Sequence, residues 1–408
     1  FSSYLIYNYR LKGRPDMRIY LYRYGSICGP DIIDSFKRIG FDIYEETIEI
    51  TNKQLLPSDC LRITSDTIIN GNFSFVFTIN FFPWLSDLCQ IAHIIYMSLI
   101  VDSPVLELYS NSLSNSYNRV FLFDQMLYNE FKPFNPNNIF HIPLATNTKR
   151  TDNIIMNASE NDRVNFSSDI SFIGSTYEEK CPINNALLPE FEKGYVDGLI
   201  EAQLGVYGYN FIEECLSDSL AETILSYIPN HYEFPKGSRK CNKALVAQQI
   251  ISVKVAEQER LRTLRKISDL FSVDIYTRSD TSSMPNIHNR GFAKSLSEMP
   301  LIFNNSKINL NITAKSIRTG LPLRIFDILG CGGFLITNYQ AELPQFFDIG
   351  TDLVAYDSMD NLIELCKYYL EHDEERKIIA NNGYNKVKNL HTYDIRLLQM
   401  IDMAYQKQ

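Results

Sequence analysis

An α/β protein built from two parallel-sheet units is the fold that this sequence predicts, and three observations carry the prediction. Short β-branched and aromatic runs alternate with helical stretches over residues 17–150, and the same alternation resumes at Asp169 and continues to about residue 390. Between the two, residues 151–168 turn to Asn, Thr, Ser, Asp and Lys with little periodicity, which reads as a linker. Residues 307–338 then read as a complete βαβ unit: Ile308, Leu310 and Ile312 alternate with polar residues, and 334–336 is a continuous apolar run. Between those strands, Gly320 and Pro322 mark the entry to a helix, and Gly332 and Gly333 mark its stop.

Composition sets the bounds. A chain of 408 residues with 45% hydrophobic and 12% aromatic residues has room for two or three domains with large cores. A net charge of -9 gives no general affinity for nucleic acid or for an anionic membrane, so any bound phosphate has to be held by a few local groups. The longest nearly apolar run, 91–101, is interrupted by His93 and Ser98 and falls short of the roughly 20 residues of a membrane span. Residues 1–16 hold tyrosines and basic residues without a signal-peptide core and read as an extension before the first domain. The eight cysteines form no Cys-x-x-Cys pair and no Cys/His cluster, which argues against a disulfide framework or structural zinc and fits a reducing cytoplasm.

In the first unit, strands are expected near 17–24, 41–45, 75–79, 94–100, 120–123 and 139–144, with a short helix over 31–39. Ligands of such sheets sit beyond the carboxyl ends of the strands. That singles out three loops: Gly25 and Ser26 after the first strand, Asn80 after the third, and Asp102 and Ser103 after the fourth. Asp102 is the catalytic candidate, an acidic side chain at a strand's carboxyl edge; the competing reading is that it caps a turn before Ser103-Pro104. His93 stands behind it as a second candidate, against a structural role on an apolar flank.

The second unit opens with a strand from Asp169 and a Gly174-Ser175-Thr176 turn, whose amides and hydroxyls suit a phosphate. A helical insertion over 187–270 follows, and Glu257, Glu259, Arg260 and Arg262 read there as a solvated helix face. After a strand near 271–277, Arg290 and Gly291 lie in a polar loop that either lines a nucleotide pocket or is plain surface. Arg318 and Arg324 are natural countercharges for a diphosphate, because the guanidinium fork matches phosphate oxygens; a structural ion pair is the alternative for each. Asp327, in the first turns of the helix, is placed to accept ribose hydroxyls. Helices are expected over 361–372 and 374–388, and one over 391–408 that returns toward the first domain.

Six segments, taken in order, resemble the bacterial CgeB-like glycosyltransferases of the GT-B fold, relatives of glycosyltransferase group 1. They are Arg23-Tyr-Gly-Ser-Ile-Cys, Ile79-Asn-Phe-Phe-Pro, Val101-Asp-Ser-Pro-Val-Leu-Glu-Leu-Tyr-Ser, Phe172-Ile-Gly-Ser, Lys307-Ile-Asn-Leu-Asn and Leu323-Arg-Ile-Phe-Asp-Ile-Leu-Gly-Cys-Gly-Gly-Phe-Leu. The resemblance implies two Rossmann-like domains facing across a cleft. A nucleotide-sugar donor would be held by the second domain at Gly174, Ser175, Thr176, Arg290, Gly291, Arg318, Thr319, Gly320, Arg324 and Asp327. Gly25, Ser26, Asn80 and Ser103 would line the acceptor side. Many related enzymes carry a Glu-x7-Glu pair where this chain has Thr319 and Asp327, so the stereochemical outcome stays open.

The expected activity is transfer of a sugar from a nucleoside diphosphate, UDP as first choice, to a hydroxyl of a glycan or protein, with no cofactor. No Asp-x-Asp motif is present, so a metal is not implied, and charge on the leaving diphosphate would be met by Arg318, Arg324 and the helix start. A nucleotide-sugar epimerase of the same fold and a noncatalytic sugar-binding protein are the alternatives.

Overall fold

The computed structural model describes residues 17–406, so the expected extension over 1–16 lies outside the described residues. The chain divides into two compact units, one made of residues 17–147, 234–240 and 390–406, the other of 148–233 and 241–389.

The first unit is a six-stranded parallel sheet in the order β2-β1-β3-β4-β5-β6. Its strands are β1 (Arg18–Tyr22), β2 (Asp42–Glu46), β3 (Phe75–Ile79), β4 (Ile95–Leu99), β5 (Asn118–Leu122) and β6 (Ile139–His141). All five residues of β3 are buried, as a central strand covered on both faces requires. Helices α1 (Gly29–Arg38), α2 (Pro57–Asn70) and α3 (Pro83–Ala92) link the first four strands. Phe36 of α1 meets Phe77 of β3 edge to face, with ring centroids 5.0 Å apart. The helix Tyr393–Tyr405 belongs to this unit: Asp394 pairs with Arg38, and Tyr405 donates to the Ser74 carbonyl at 3.1 Å.

The second sheet runs β12-β11-β10-β7-β8-β9, again all parallel. Two helices precede it, α4 (Thr148–Met156) and α5 (Glu160–Asn165), followed by β7 (Ser168–Ile173). The stretch expected as a linker over 151–168 is therefore mostly helical. Its polarity is capping chemistry: Ser159 Oγ accepts the Asp162 amide at 3.1 Å while the Asp162 carboxylate accepts the Ser159 amide at 3.0 Å. Thr151, buried, donates to the Gly330 carbonyl at 3.0 Å.

Within the insertion, α6 (Glu190–Leu204) packs on a long helix that passes through a π-helical segment, Val246–Ile251, into α7 (Ser252–Ser268). There follow β8 (Val273–Tyr276), β9 (His288–Asn289), α8 (Met299–Asn305), β10 (Ser306–Asn311), α9 (Leu323–Gly330), β11 (Leu335–Asn338), β12 (Val354–Tyr356), α10 (Met359–Glu371) and α11 (Asp373–Leu390). Ile170, Phe172, Ile308, Leu310 and Ile336 from the strands pack with Leu264 and Ile267 of α7 and Leu362 and Cys366 of α10. Burying each such aliphatic or aromatic side chain contributes about 1.5–3 kcal/mol.

Strand order fixes where each sheet can bind. The order reverses about β1 in the first sheet and about β7 in the second, and a crevice opens where loops leave on opposite faces. The loops concerned are those after β1 and β3 in one unit and after β7 and β10 in the other.

Candidate functional site

At the switch point of the first sheet, the loop after β3 is held from beneath. The Thr78 hydroxyl donates to the Asn80 carbonyl at 2.7 Å, and the buried Tyr96 hydroxyl accepts the Phe82 amide at 2.9 Å. Asn80 takes a left-handed backbone, φ 59°, which Asn tolerates better than most residues. Its side chain then spans three strands' ends: Nδ2 donates to Asp102 at 2.6 Å and to the Tyr24 hydroxyl at 2.9 Å, while Oδ1 accepts the Val101 amide at 3.1 Å. Burial, and then the charge of Asp102, push the Tyr24 phenol up and keep it protonated. Asp102 itself is exposed, so the carboxylate is oriented yet open to a ligand.

A cavity of about 390 Å³ opens here, lined among others by Tyr24, Asn80, Phe82, Trp84 and Asp102. Gly25 and Ser26 follow Tyr24 in the same loop, with Gly25 at φ 101° and Lys53 reaching the Tyr24 carbonyl. Ser103 is half-buried next to Asp102. His93 is elsewhere. It ends α3 in a left-handed conformation at the amino end of β4, exposed and against Tyr117, whereas Asp102 follows the carboxyl end of that strand. His93, expected as a second candidate base behind Asp102, thus stands at the opposite end of β4 from Asp102.

The second switch point gathers Gly174, Ser175 and Thr176 after β7, Arg318, Thr319 and Gly320 in the loop after β10, and Arg324 and Asp327 on α9. The turn after β7 is less open than its sequence suggests: the Gly174 amide donates to Tyr276 O at 3.3 Å and the Thr176 amide to Ser279 Oγ at 3.0 Å. Its anchor is Arg260, which donates to Ser175 O and to Ile312 O, each at 2.7 Å, and so ties the ends of β7 and β10 together. Arg260 also lies over the Tyr177 ring at 4.5 Å.

Arg260 and its neighbours correct the reading of α7 as a solvated face. Glu257 and Glu259 are each only 3% exposed. Glu259 faces Lys315 at 3.6 Å, and burial raises its pKa against the opposing pull of Lys315 and Arg260. Lys315 in turn lies over the Tyr207 ring and donates to Val206 O at 3.2 Å, fastening the loop after β10 to the insertion. Spacing along α7 gave no signal for this, since partners far off in the chain, Ser175, Ile312 and Lys315, decide it.

At the start of α9, Pro322 offers no capping side chain, and the Ile325 amide donates back to the Pro322 carbonyl at 3.1 Å. The nearest cation on that helix is Arg324. Its Nη1 is 3.9 Å from Asp327 and 3.6 Å from the sulfur of Met299, and its guanidinium lies over the Phe303 ring at 5.3 Å. Burial lowers its pKa against the opposing pull of Asp327. Asp327 is partly exposed, and Arg318 and Thr319 are half-buried. Thr319 donates to Glu342 at 2.7 Å, a buried carboxylate from the loop after β11 that sequence reasoning did not single out.

Arg290 is not brought to this group. It donates to Asn165 O at 2.7 Å and to Asp274 at 3.4 Å, both toward the end of the sheet where β7 begins. Gly291 follows at φ 77° in open space.

Solved structures superpose on the fold over nearly the whole chain. A glycosyltransferase from Rickettsia africae superposes with a TM-score of 0.52 at 11% identity, covering 97% of this chain and 100% of that one. HepE of Anabaena, in complex with UDP and glucose, gives 0.50 at 9% identity over 94% of this chain and 98% of its own. Sucrose-phosphate synthase from Thermosynechococcus elongatus gives 0.50 at 9% identity over 95% and 98%. The fold is GT-B. Residues 258–402 of this GT-B chain match the family described as glycosyl transferase-like, a span that contains α9, Arg324 and Asp327. No curated protein sequence matches. Among the described residues of the GT-B chain, no helix is long and apolar enough to cross a membrane.

Proposed function

We propose that this protein is a CgeB-like bacterial glycosyltransferase that moves a sugar from a nucleoside diphosphate to a hydroxyl of a glycan or protein, without a metal. Arg324 is the observation that carries the reading. Among the described residues its guanidinium has no carboxylate closer than 3.9 Å, and Arg324 stands in the first turn of a helix without a side-chain cap, within the span that matches the glycosyl transferase-like family. A diphosphate supplies the missing charge. Arg318, Gly320 and the Gly174 to Thr176 turn complete its surroundings, and Asp327 accepts the ribose hydroxyls. Arg290, bonded to Asn165 and Asp274, is left out of this site, and Gly291 with it.

UDP is the proposed nucleotide, in line with the UDP bound by the GT-B protein HepE. In the transfer, the acceptor oxygen bonds to the anomeric carbon, the carbon–oxygen bond to the diphosphate breaks, and the acceptor proton leaves. Asp102, steadied by Asn80, takes that proton in an inverting reaction or orients the acceptor in a retaining one. The scattered cysteines, none in a Cys-x-x-Cys pair, fit action in the cytoplasm.

A thermal-shift screen of UDP, GDP, dTDP, CDP and ADP tests the reading. UDP is expected to raise the melting temperature of the wild type and not of Asp327→Ala. No shift with any diphosphate at millimolar concentration would overturn it and favour a noncatalytic protein.

A further inference from the structure

The cavity in the first unit has a chemistry of its own. One wall is aromatic: Tyr24 and Phe82 lie with ring centroids 5.7 Å apart, and Phe82 meets Trp84 at 6.4 Å and 74°. Trp84 is half-buried, and it is the only tryptophan in the chain. Three acidic residues, Glu49, Asp102 and Glu107, line the cavity as well, and no Lys, Arg or His is among the lining residues. Lys53, the cation that reaches the Tyr24 carbonyl, is not part of the lining. Glu49 accepts the Tyr22 hydroxyl at 2.8 Å and Asp102 accepts Asn80 at 2.6 Å, so each carboxylate is fixed and retains oxygens able to accept more.

We infer that this cavity takes the acceptor as a sugar ring free of anionic groups, its apolar face against Trp84, Phe82 and Tyr24 and its hydroxyls against Glu49, Asp102 and Glu107. The inference rests on the glycosyltransferase reading and narrows its acceptor. Aromatic faces bury the C–H side of a pyranose, and fixed carboxylates accept from hydroxyl or ammonium donors. A phosphate, sulfate or carboxylate on the acceptor would meet like charges and no countercharge, in a concave site where the field of the carboxylates is concentrated. The volume, about 390 Å³, lies in the range of small-molecule pockets.

The single tryptophan makes the test direct. Fluorescence of the full chain is titrated, with UDP present, against methyl glucoside, methyl N-acetylglucosaminide, methyl galactoside and glucosamine, and against glucuronate and glucose 6-phosphate as anionic partners. A saturable change is expected with at least one neutral or amino sugar, at least tenfold tighter than with its anionic partner, and calorimetric titration of Trp84→Ala is expected to show that binding lost. Glu107→Gln, an isosteric change, is expected to narrow the gap between neutral and anionic sugars. Equal or tighter binding of the anionic partner, or no response to any sugar, overturns the inference. Turnover separates it from the broader reading. Transfer onto an anionic acceptor leaves a glycosyltransferase and sinks the inference; saturable neutral-sugar binding without transfer to any acceptor keeps the sugar pocket and sinks the transferase.

Discussion

Asn80 grips Asp102 at 2.6 Å and, with the same side-chain nitrogen, the Tyr24 hydroxyl at 2.9 Å, so one residue joins the carboxyl ends of β1, β3 and β4. A carboxylate held this way is both exposed and aimed. If it serves the transfer as base, Asp102→Asn lowers kcat by about 10²–10⁴-fold. Asn80→Gly, which keeps the left-handed backbone and removes only the side chain, lowers it by up to about 10²-fold through misplacement of Asp102. Steady-state kinetics with UDP-sugar and acceptor measure both; an Asp102→Asn enzyme at full rate would remove Asp102 from the chemistry.

The Glu259–Lys315 pair makes a stability prediction with a built-in control. Both side chains are almost fully buried, 3% and 6% exposed, so removing one leaves an uncompensated charge. Lys315→Met is expected to cost about 3–5 kcal/mol, and the double change Glu259→Gln with Lys315→Met to restore most of it. Urea unfolding decides this; additive losses would mean that the two residues do not act as a pair.

Glu107 gives a pH dependence. Burial raises its pKa above the ordinary 4.5, so the folded protein holds this proton more tightly than the unfolded chain does. Its contribution to stability is therefore present below 4.5 and lost as the pH rises through the higher folded value. Glu107→Gln removes that loss. The variant is expected to melt above the wild type at pH 7, with the gap closing below pH 4.5; a gap that is constant with pH would contradict the assignment.

Gly333 stands where α9 gives way to β11. A Cβ there would sit 2.6 Å from the Phe303 carbonyl and 2.8 Å from the Asn309 amide nitrogen, a buried side chain already bonded to that same carbonyl at 2.9 Å. Gly333→Ala is expected to destabilise by about 1–3 kcal/mol through overpacking. Gly332→Asn, whose Cβ meets nothing closer than 3.6 Å and whose left-handed backbone Asn tolerates, should cost less. Chemical denaturation of the two variants side by side tests the order.

The sequence by itself determined the α/β class and the place of most strands in both units. Alternating or continuous apolar runs are local signals, and the helix start at Pro322 and its stop at Gly332 are written in the residues that form them. The places of Asp102 and Asn80 after strands and of Arg324 at a helix start were legible for the same reason. Strands as short as β9 and β12, two and three residues long, leave too little pattern to read. Only the tertiary structure decided the strand orders, and with them the two switch points, because strand pairing joins residues far apart in the chain. It also buried Glu259 opposite Lys315, spent Arg290 on Asp274 and Asn165, brought Glu342 to Thr319 and put the length of β4 between His93 and Asp102. A charged residue's spacing along a helix or loop does not reveal whether water or a distant partner will face it; the packing of the whole unit does.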